Sequence, residues 1–308
     1  QCHFINVWCG LLLGCNILEM GIILMLKAFI FPGQGSQYVG MCHDFYHEFH
    51  HAKHRLNQAS DILNYDISKI LFNGPENKLT LTKYAQPAIF IHSIIINDLL
   101  KMNNLKPDAV AGHSLGEITA LVSAEILNFE EALSIIKVRS NAMENAGTKH
   151  PGSMAAIIGA NEDQIQEICN QNTLIVPANQ NAPGQTVISG ENSAIDQAIT
   201  LGKKMGLKRI IKLNVSGAFH SPLMQSARKP LIDIIDLVKF KTSKIPIYQN
   251  FNAKPETNIT NIKKNLINQL ENPVLWHQTI NLMVQNKISD FHEIGPGKVL
   301  SGLNRRIN

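Results

Sequence analysis

The chain has 308 residues, enough for two domains or for one large domain carrying an insert. Hydrophobic residues make up 44% and charged residues 17%, with Gly 20 and Pro 13, which excludes a disordered, collagen-like or coiled-coil chain. Lys+Arg 28 against Asp+Glu 24 gives +4, too weak and too dispersed a balance to imply a nucleic-acid partner.

Residues 7–26 are apolar, but Asn16 and Glu19 interrupt them and no Lys or Arg precedes Lys27. A secretory leader needs such a positive flank, and a membrane span ending here would run without a linker into the first strand. Met25 before that strand reads as a natural start, so residues 1–24 are expected to be an N-terminal extension outside the core. Cys2, Cys9 and Cys15 fall in that extension and leave Cys42 and Cys169 for the rest. No disulfide framework or Cys-x-x-Cys pair exists, which points to a reducing compartment, the cytoplasm.

From Lys27 the pattern is strand, glycine loop, helix. Phe29-Ile30-Phe31 runs into Pro32-Gly33-Gln34-Gly35-Ser36-Gln37. Helices are predicted over residues 44–64 and 86–102, and a short strand over residues 108–111. A helix over residues 115–127 carries Leu115, Ile118, Leu121 and Val122 at helical spacing. Asn128, followed three residues later by Glu131, is a capping-box start for a helix reaching about residue 145. Alternating strands and helices are the signature of an α/β fold. The rhythm then changes: strand 153–158, helix 162–170, strands 174–178 and 185–189, helix 193–205, strand 209–215. That βαββαβ order is a ferredoxin-like unit, read as a small domain over residues 148–216 inserted in a large one over residues 25–147 and 217–308. The large domain resumes with helix 223–237, strand 245–249, helix 276–286, strand 290–293 and a last helix after Gly295-Pro296-Gly297.

Gly112-His113-Ser114-Leu115-Gly116 is G-x-S-x-G between a predicted strand and a predicted helix, the context that a nucleophile elbow requires. Small residues permit the sharp turn that projects the Ser114 hydroxyl, and the Leu115 N–H at the helix start can face a developing oxyanion. The earlier glycine loop is not a dinucleotide fingerprint, because Tyr38 replaces the third glycine, and it lacks the Lys-Ser/Thr of a phosphate loop. A glycine-flanked Gln34 suits a backbone approaching a substrate carbonyl, giving a second oxyanion donor. A serine nucleophile needs a base. Among twelve histidines, His220 stands out at the return from the insert, beside small residues and before a helix. His43, His47, His50, His51 and His54 fall at near-helical spacing, but without a carboxylate or Cys pattern they read as a solvated face and no metal is expected. Lys203, Lys204, Lys208, Arg209 and Lys212 form a basic run on the insert that could steer an acidic partner or simply be solvated surface.

Taken together, the motifs at residues 31–37 and 112–117, Val138-Arg139 with Met143, residues 179–184, Phe219-His220, residues 271–274 and residues 293–300 resemble, in order, the malonyl-CoA:acyl carrier protein transacylase family of bacterial type II fatty acid synthesis. The match runs from about Met25 to Ile307. The resemblance implies an α/β-hydrolase-like large domain with a ferredoxin-like small domain and a cleft between them. It makes Ser114 the nucleophile, His220 the general base and acid, and Gln34 with the Leu115 N–H the oxyanion site. Arg139 becomes the carboxylate clamp, with Met143 at i,i+4 sharing its face. Gln269 offers a backbone carbonyl that orients His220. Asn181, and less closely Asn179, match positions near the bound acyl group, and Phe219 matches a substrate-pocket position. Phe219-His220 departs from the small-residue form of some bacterial members and looks more like malonyl-selecting acyltransferase domains of polyketide synthases.

What the resemblance implies is an S-malonyltransferase (EC 2.3.1.39) that carries malonyl from malonyl-CoA to acyl carrier protein for fatty acid biosynthesis. It implies no metal or redox cofactor, since phosphopantetheine travels on the two substrates. A monomer without nucleic-acid or membrane partners is expected. The rival classes are a serine esterase or thioesterase of the hydrolase fold and a non-catalytic scaffold that binds carrier protein. The first usually places its His near the chain end, whereas His220 is followed by almost ninety residues. The second does not require Ser114, His220, Gln34 and Arg139 together.

Overall fold

A computed structural model describes residues 25–171 and 174–307. The extension expected over residues 1–24, with its three cysteines, lies outside the described residues. Cys42 and Cys169 are free thiols, both buried.

The chain runs through β1 (Leu26–Phe31), α1 (His43–Glu48), α2 (His50–Leu63), α3 (Ile67–Asn73), α4 (Glu76–Leu79), α5 (Thr82–Met102), β2 (Ala109–Gly112), α6 (Leu115–Ser123) and α7 (Phe129–Lys149). It continues with β3 (Gly152–Ile158), α8 (Glu162–Asn170), β4 (Ile175–Ala182), β5 (Gln185–Glu191), α9 (Asn192–Lys204) and β6 (Arg209–Lys212). A 3-10 turn at Pro222–Ala227 leads into α10 (Arg228–Leu237), β7 (Ile247–Tyr248), β8 (Pro255–Glu256), α11 (Ile259–Asn268), α12 (Trp276–Gln285), β9 (Ile288–Glu293) and α13 (Val299–Ile307).

The fold is mixed α/β with two sheets. The first has the order β8-β7-β2-β1-β9 and is parallel except for the β7–β8 pair. Strand alternation divides its core into two faces: Phe29, Phe31 and Val110 pack under α2, α5, α6 and α7, while Ala28, Ile30, Ala109 and Ala111 pack with Trp276, Ile280 and Leu300. Both faces covered by helices is what a parallel sheet requires. The second sheet is antiparallel, order β4-β5-β3-β6, and buries Ala155, Ile157 and Ile188 against Ile165, Ile168 and Ile195 of α8 and α9. Val274 ties the two parts together, because its N–H donates to Ala178 O at 2.9 Å while its carbonyl accepts from Gln180 N–H at 2.9 Å.

Several element bounds differ from the sequence expectation for identifiable reasons. The helix expected over residues 44–64 is broken at Phe49, which is extended at φ −122, ψ 119. The helix expected from residue 86 starts at Thr82 and tolerates Pro87, because the Lys83 carbonyl that a residue-87 N–H would have bonded accepts from the Tyr65 hydroxyl instead. α6 ends at Ser123, not residue 127: Glu125 turns to φ 62 and the Ile126 N–H returns to Leu121 O. The single helix expected over residues 223–237 is a 3-10 turn followed by α10, since Pro230 in the first turn of α10 supplies no N–H. α7 begins where the capping box places it, with Asn128 accepting from Glu131 N–H and Glu131 accepting from Asn128 N–H. The helices α3, α4 and α11 had no sequence expectation.

Gly116 sits where α6 crosses β1: a Cβ there would lie 2.0 Å from the Phe31 carbonyl oxygen. Gly116→Ala therefore has to push α6 off β1, and overpacking of this kind costs about 1–3 kcal/mol or more. Thermal unfolding should show a lowered midpoint; an unchanged midpoint would mean that this contact relaxes freely.

Candidate active site

The carboxyl ends of β1 and β2 bring the two glycine-containing turns together. Gly33 approaches so closely that a Cβ on it would be 2.5 Å from His113 O. The next residue, Gln34, and the first residue of α6, Leu115, each hold a backbone N–H that takes no partner among the described residues. The Gln34 side chain turns away, with Nε2 3.4 Å from both Thr80 O and Thr82 Oγ1.

Ser114 stands between β2 and α6 at φ 53, ψ −104. A non-glycine residue in this region is strained by roughly 1–3 kcal/mol and persists only where its surroundings hold it. His220 is likewise left-handed, at φ 57. Ser114 Oγ and His220 Nε2 are 2.8 Å apart, and His220 Nδ1 is 2.8 Å from the Gln269 carbonyl. A carbonyl only accepts, so Nδ1 carries the proton and Nε2 is left to accept from the hydroxyl. His220 is 3% exposed. Burial first, and the Arg139 charge second, lower its pKa from the ordinary 6.5 to about 3.

Arg139 projects from α7 and is 1% exposed. Its NH1 donates to Gln86 Oε1 at 2.8 Å, and its NH2 donates to Gln269 Oε1 at 2.9 Å and to Ser114 Oγ at 3.1 Å. All three acceptors are neutral, and among the described residues the guanidinium forms no ion pair. Burial lowers its pKa to about 10, opposed by the longer-range charge of Glu117. Glu117 is itself fully buried in the first turn of α6, and burial raises its pKa while hydrogen bonds from Asn250 and Gln249 oppose that shift.

A cavity of about 280 Å³ opens over this group, with Gln34, Ser114, Met143, Asn179, Phe219 and His220 on its walls. Met143 and Phe219 give it an apolar side. Asn181 is not on the wall: its Oδ1 is 2.9 Å from His113 Nε2, and the His113 ring lies 5.8 Å from that of Trp276. Asn179 is the one of the pair that faces the cavity, with its Oδ1 buried and unpartnered. Arg139 lies behind the wall, reaching the cavity through Ser114 and Gln86. Sequence reasoning missed Gln86, Asn250 and the side chain of Gln269. The polar pair Gln249-Asn250 at the end of the strand predicted over residues 245–249 was the available signal.

Away from the cavity, His43 and His47 contact each other at 3.3 Å, and His51 pairs with Asp98 at 2.7 Å. Among the described residues no group of three or more His, Cys, Asp or Glu could hold a metal ion, and no helix is long and apolar enough to cross a membrane. In the basic run, Lys212 pairs with Asp196 at 2.6 Å.

Comparison with known proteins agrees over most of the chain. The acyl transferase domain model matches residues 28–303. A malonyl CoA-acyl carrier protein transacylase of Staphylococcus aureus (strain MRSA252) is 41% identical over 285 residues, covering 91% of this chain and 92% of the relative. The crystal structure of a malonyl-CoA:acyl carrier protein transacylase from Xanthomonas oryzae pv. oryzae superposes with TM-score 0.89 at 35% identity, covering 92% of each chain. A malonyl-transacylase solved with its type II polyketide acyl-carrier protein gives TM-score 0.88 at 35% identity, covering 92% of this chain and 93% of that one.

The lowered His220 pKa makes a direct prediction. Its imidazole is neutral above about pH 3 and can accept the Ser114 proton throughout the range above that. The rate of Ser114 modification by a fluorophosphonate should hold steady as pH falls to about 5 and drop only on approach to the His220 pKa. A midpoint near the ordinary histidine value of about 6.5 would show that His220 is solvated or is not the base.

Proposed function

This chain belongs to the acyl transferase domain family, and from that premise we propose that it carries a malonyl group from malonyl-CoA to the phosphopantetheine thiol of acyl carrier protein through an ester on Ser114. The observation that carries the choice of acyl group is Arg139: a buried guanidinium 3.1 Å from Ser114 Oγ, bonded among the described residues only to neutral oxygens. A malonyl thioester keeps a free carboxylate one methylene beyond the thioester carbonyl, and a planar guanidinium can bind it bidentately.

In the first half-reaction, Ser114 Oγ attacks the thioester carbonyl as its proton passes to His220 Nε2. The Gln34 and Leu115 backbone N–H groups receive the oxyanion. The C–S bond breaks, and the CoA thiol leaves with the proton from His220. In the second half, the carrier's thiol gives its proton to His220 and attacks the malonyl-serine ester through the same oxyanion site. Ser114 then departs with that proton. The Gln269 carbonyl holds the imidazole in one tautomer in place of a triad carboxylate. Met143, Phe219 and Asn179 flank the acyl group, while Asn181 acts through His113. No step draws on a metal or redox cofactor.

We read the five-stranded sheet and its helices as the α/β-hydrolase-like large domain, residues 25–147 and 217–308, and the four-stranded unit over residues 148–216 as the ferredoxin-like insert. Support for the insert is its strand order, which in its own numbering is 2-3-1-4 and antiparallel throughout. The reaction is assigned to the cytoplasm, in keeping with the free cysteines.

The test is intact-protein mass analysis after incubation with malonyl-CoA, followed by addition of holo acyl carrier protein. One malonyl group should appear on the protein and then move to the carrier, and Ser114→Ala should take up none while melting within a few degrees of the parent. Labelling that persists in Ser114→Ala would place the nucleophile elsewhere; an adduct released only to water would make the protein a thioesterase.

A further inference from the structure

Gln249 and Asn250 follow β7 at the carboxyl end of the first sheet, beside the turn that follows β2, its parallel neighbour. Both side chains are fully buried. Asn250 Nδ2 donates to Gly112 O at 2.6 Å, and Asn250 Oδ1 accepts from Ser114 N–H at 2.7 Å. The side-chain amide therefore continues the β ladder across a turn where the backbone of β7 no longer can, pairing two buried groups that would otherwise stand alone. Asn250 is fixed in turn. Its own N–H donates to Glu117 Oε2 at 2.7 Å, and Gln249 Nε2 donates to Glu117 Oε1 at 3.1 Å. Glu117 N–H donates back to Ser114 O at 3.1 Å, closing a ring of Ser114, Asn250 and Glu117. Gln269 joins it, with Nε2 on Ser114 O at 3.0 Å.

We propose that Asn250, locked by Glu117, is a positioning residue for the nucleophile: by holding Gly112 O and Ser114 N–H it keeps the strained turn in the one orientation that aims Oγ at His220. By occupying the Ser114 N–H it also leaves the Leu115 and Gln34 N–H groups as the open donors. This rests on the reading of Ser114 as the nucleophile. Asn250 lies beneath the turn and is not on the cavity wall, so its loss acts on the chemical step and spares substrate binding.

The test compares Asn250→Ala and Asn250→Asp with the parent in malonyl transfer, in fluorophosphonate labelling of Ser114 and in thermal unfolding. Asn250→Ala should lower kcat per folded molecule by about 10²-fold, the scale of a misplaced reacting group, with KM within about threefold. Asn250→Asp carries the sharper readout. Ionised, its carboxylate can accept from Ser114 N–H but sets a second acceptor against Gly112 O, next to the Glu117 carboxylate. Protonated, its O–H donates to Gly112 O and both bonds return. The groups around it, Glu117 on α6, Arg139 on α7 and His220, are common to the parent. Relative to the parent, Asn250→Asp should gain at least about tenfold in kcat and in labelling rate as pH falls from about 8 to about 5.5. A profile parallel to the parent's, a kcat of Asn250→Ala within about threefold of the parent's, or a loss fully explained by the unfolded fraction would overturn the proposal. Should the parent react with the fluorophosphonate but not with malonyl-CoA, the malonyl reading fails and the labelling arm still decides the role of Asn250. A parent that the fluorophosphonate does not modify at Ser114 overturns both.

Discussion

A guanidinium buried beside a serine hydroxyl, with no carboxylate bonded to it among the described residues, is the constraint around which the rest of the site is arranged. Removing an Arg from water is expensive, and a contacting carboxylate would ordinarily offset that cost. Arg139 has instead the amide oxygens of Gln86 and Gln269 and the Ser114 oxygen. These orient the planar group without neutralising it. The nearest compensation is the longer-range charge of Glu117, on the helix that begins at the nucleophile. In the proposed reaction the missing bonded partner arrives with the substrate, so part of the cost of burying Arg139 becomes selectivity for an acyl group with a free carboxylate. A neutral acyl group cannot recover it.

The same network serves the proposed nucleophile. Gln269 bonds Arg139 and Ser114 through its side chain and His220 through its backbone, so the proposed base, the proposed clamp and the strained turn are referred to one residue at the end of α11. Two catalytic candidates with positive φ, Ser114 and His220, need such support. It comes from the carboxyl ends of parallel strands, where a sheet leaves backbone groups free to face a ligand. The close approach of Gly33 to His113 O and of Gly116 to Phe31 O brings the two free N–H groups to the same cavity. Glycine is required at both because a side chain would collide with backbone.

Ser114, Leu115 and Gln34 were legible in the sequence because each belongs to a motif that couples residue type to a backbone position, a glycine loop after a strand or G-x-S-x-G before a helix; His220 stood out by its place beside small residues before a helix, and Arg139 was singled out only by the family resemblance. The α/β alternation and the βαββαβ order were legible from periodicity, and the start of α7 from its capping box. The amide network was not. Gln86, Asn250 and the Gln269 side chain are neutral residues whose partners lie 53, 136 and 130 positions away in the chain, and no local pattern encodes such pairs. Asn181 illustrates the limit of resemblance: it shares strand β4 with Asn179, but it bonds His113 while Asn179 faces the cavity. Helix ends at Phe49 and Ser123 were missed because neither is marked by proline or glycine: Phe49 is extended at φ −122, and Glu125 turns to φ 62.

The central claim, that an unneutralised Arg139 selects the acyl group, is tested most directly by the ratio of kcat/KM for malonyl-CoA to that for acetyl-CoA in Arg139→Ala and in the parent, with the same carrier protein. A charge-assisted hydrogen bond contributes about 1.5–3 kcal/mol, so malonyl transfer should fall by at least about tenfold. Acetyl transfer should hold steady or rise, because His220 still holds Ser114 Oγ at 2.8 Å and the unpaired charge is gone. Equal loss for both substrates would contradict the account and leave Arg139 as a support for the serine and its turn.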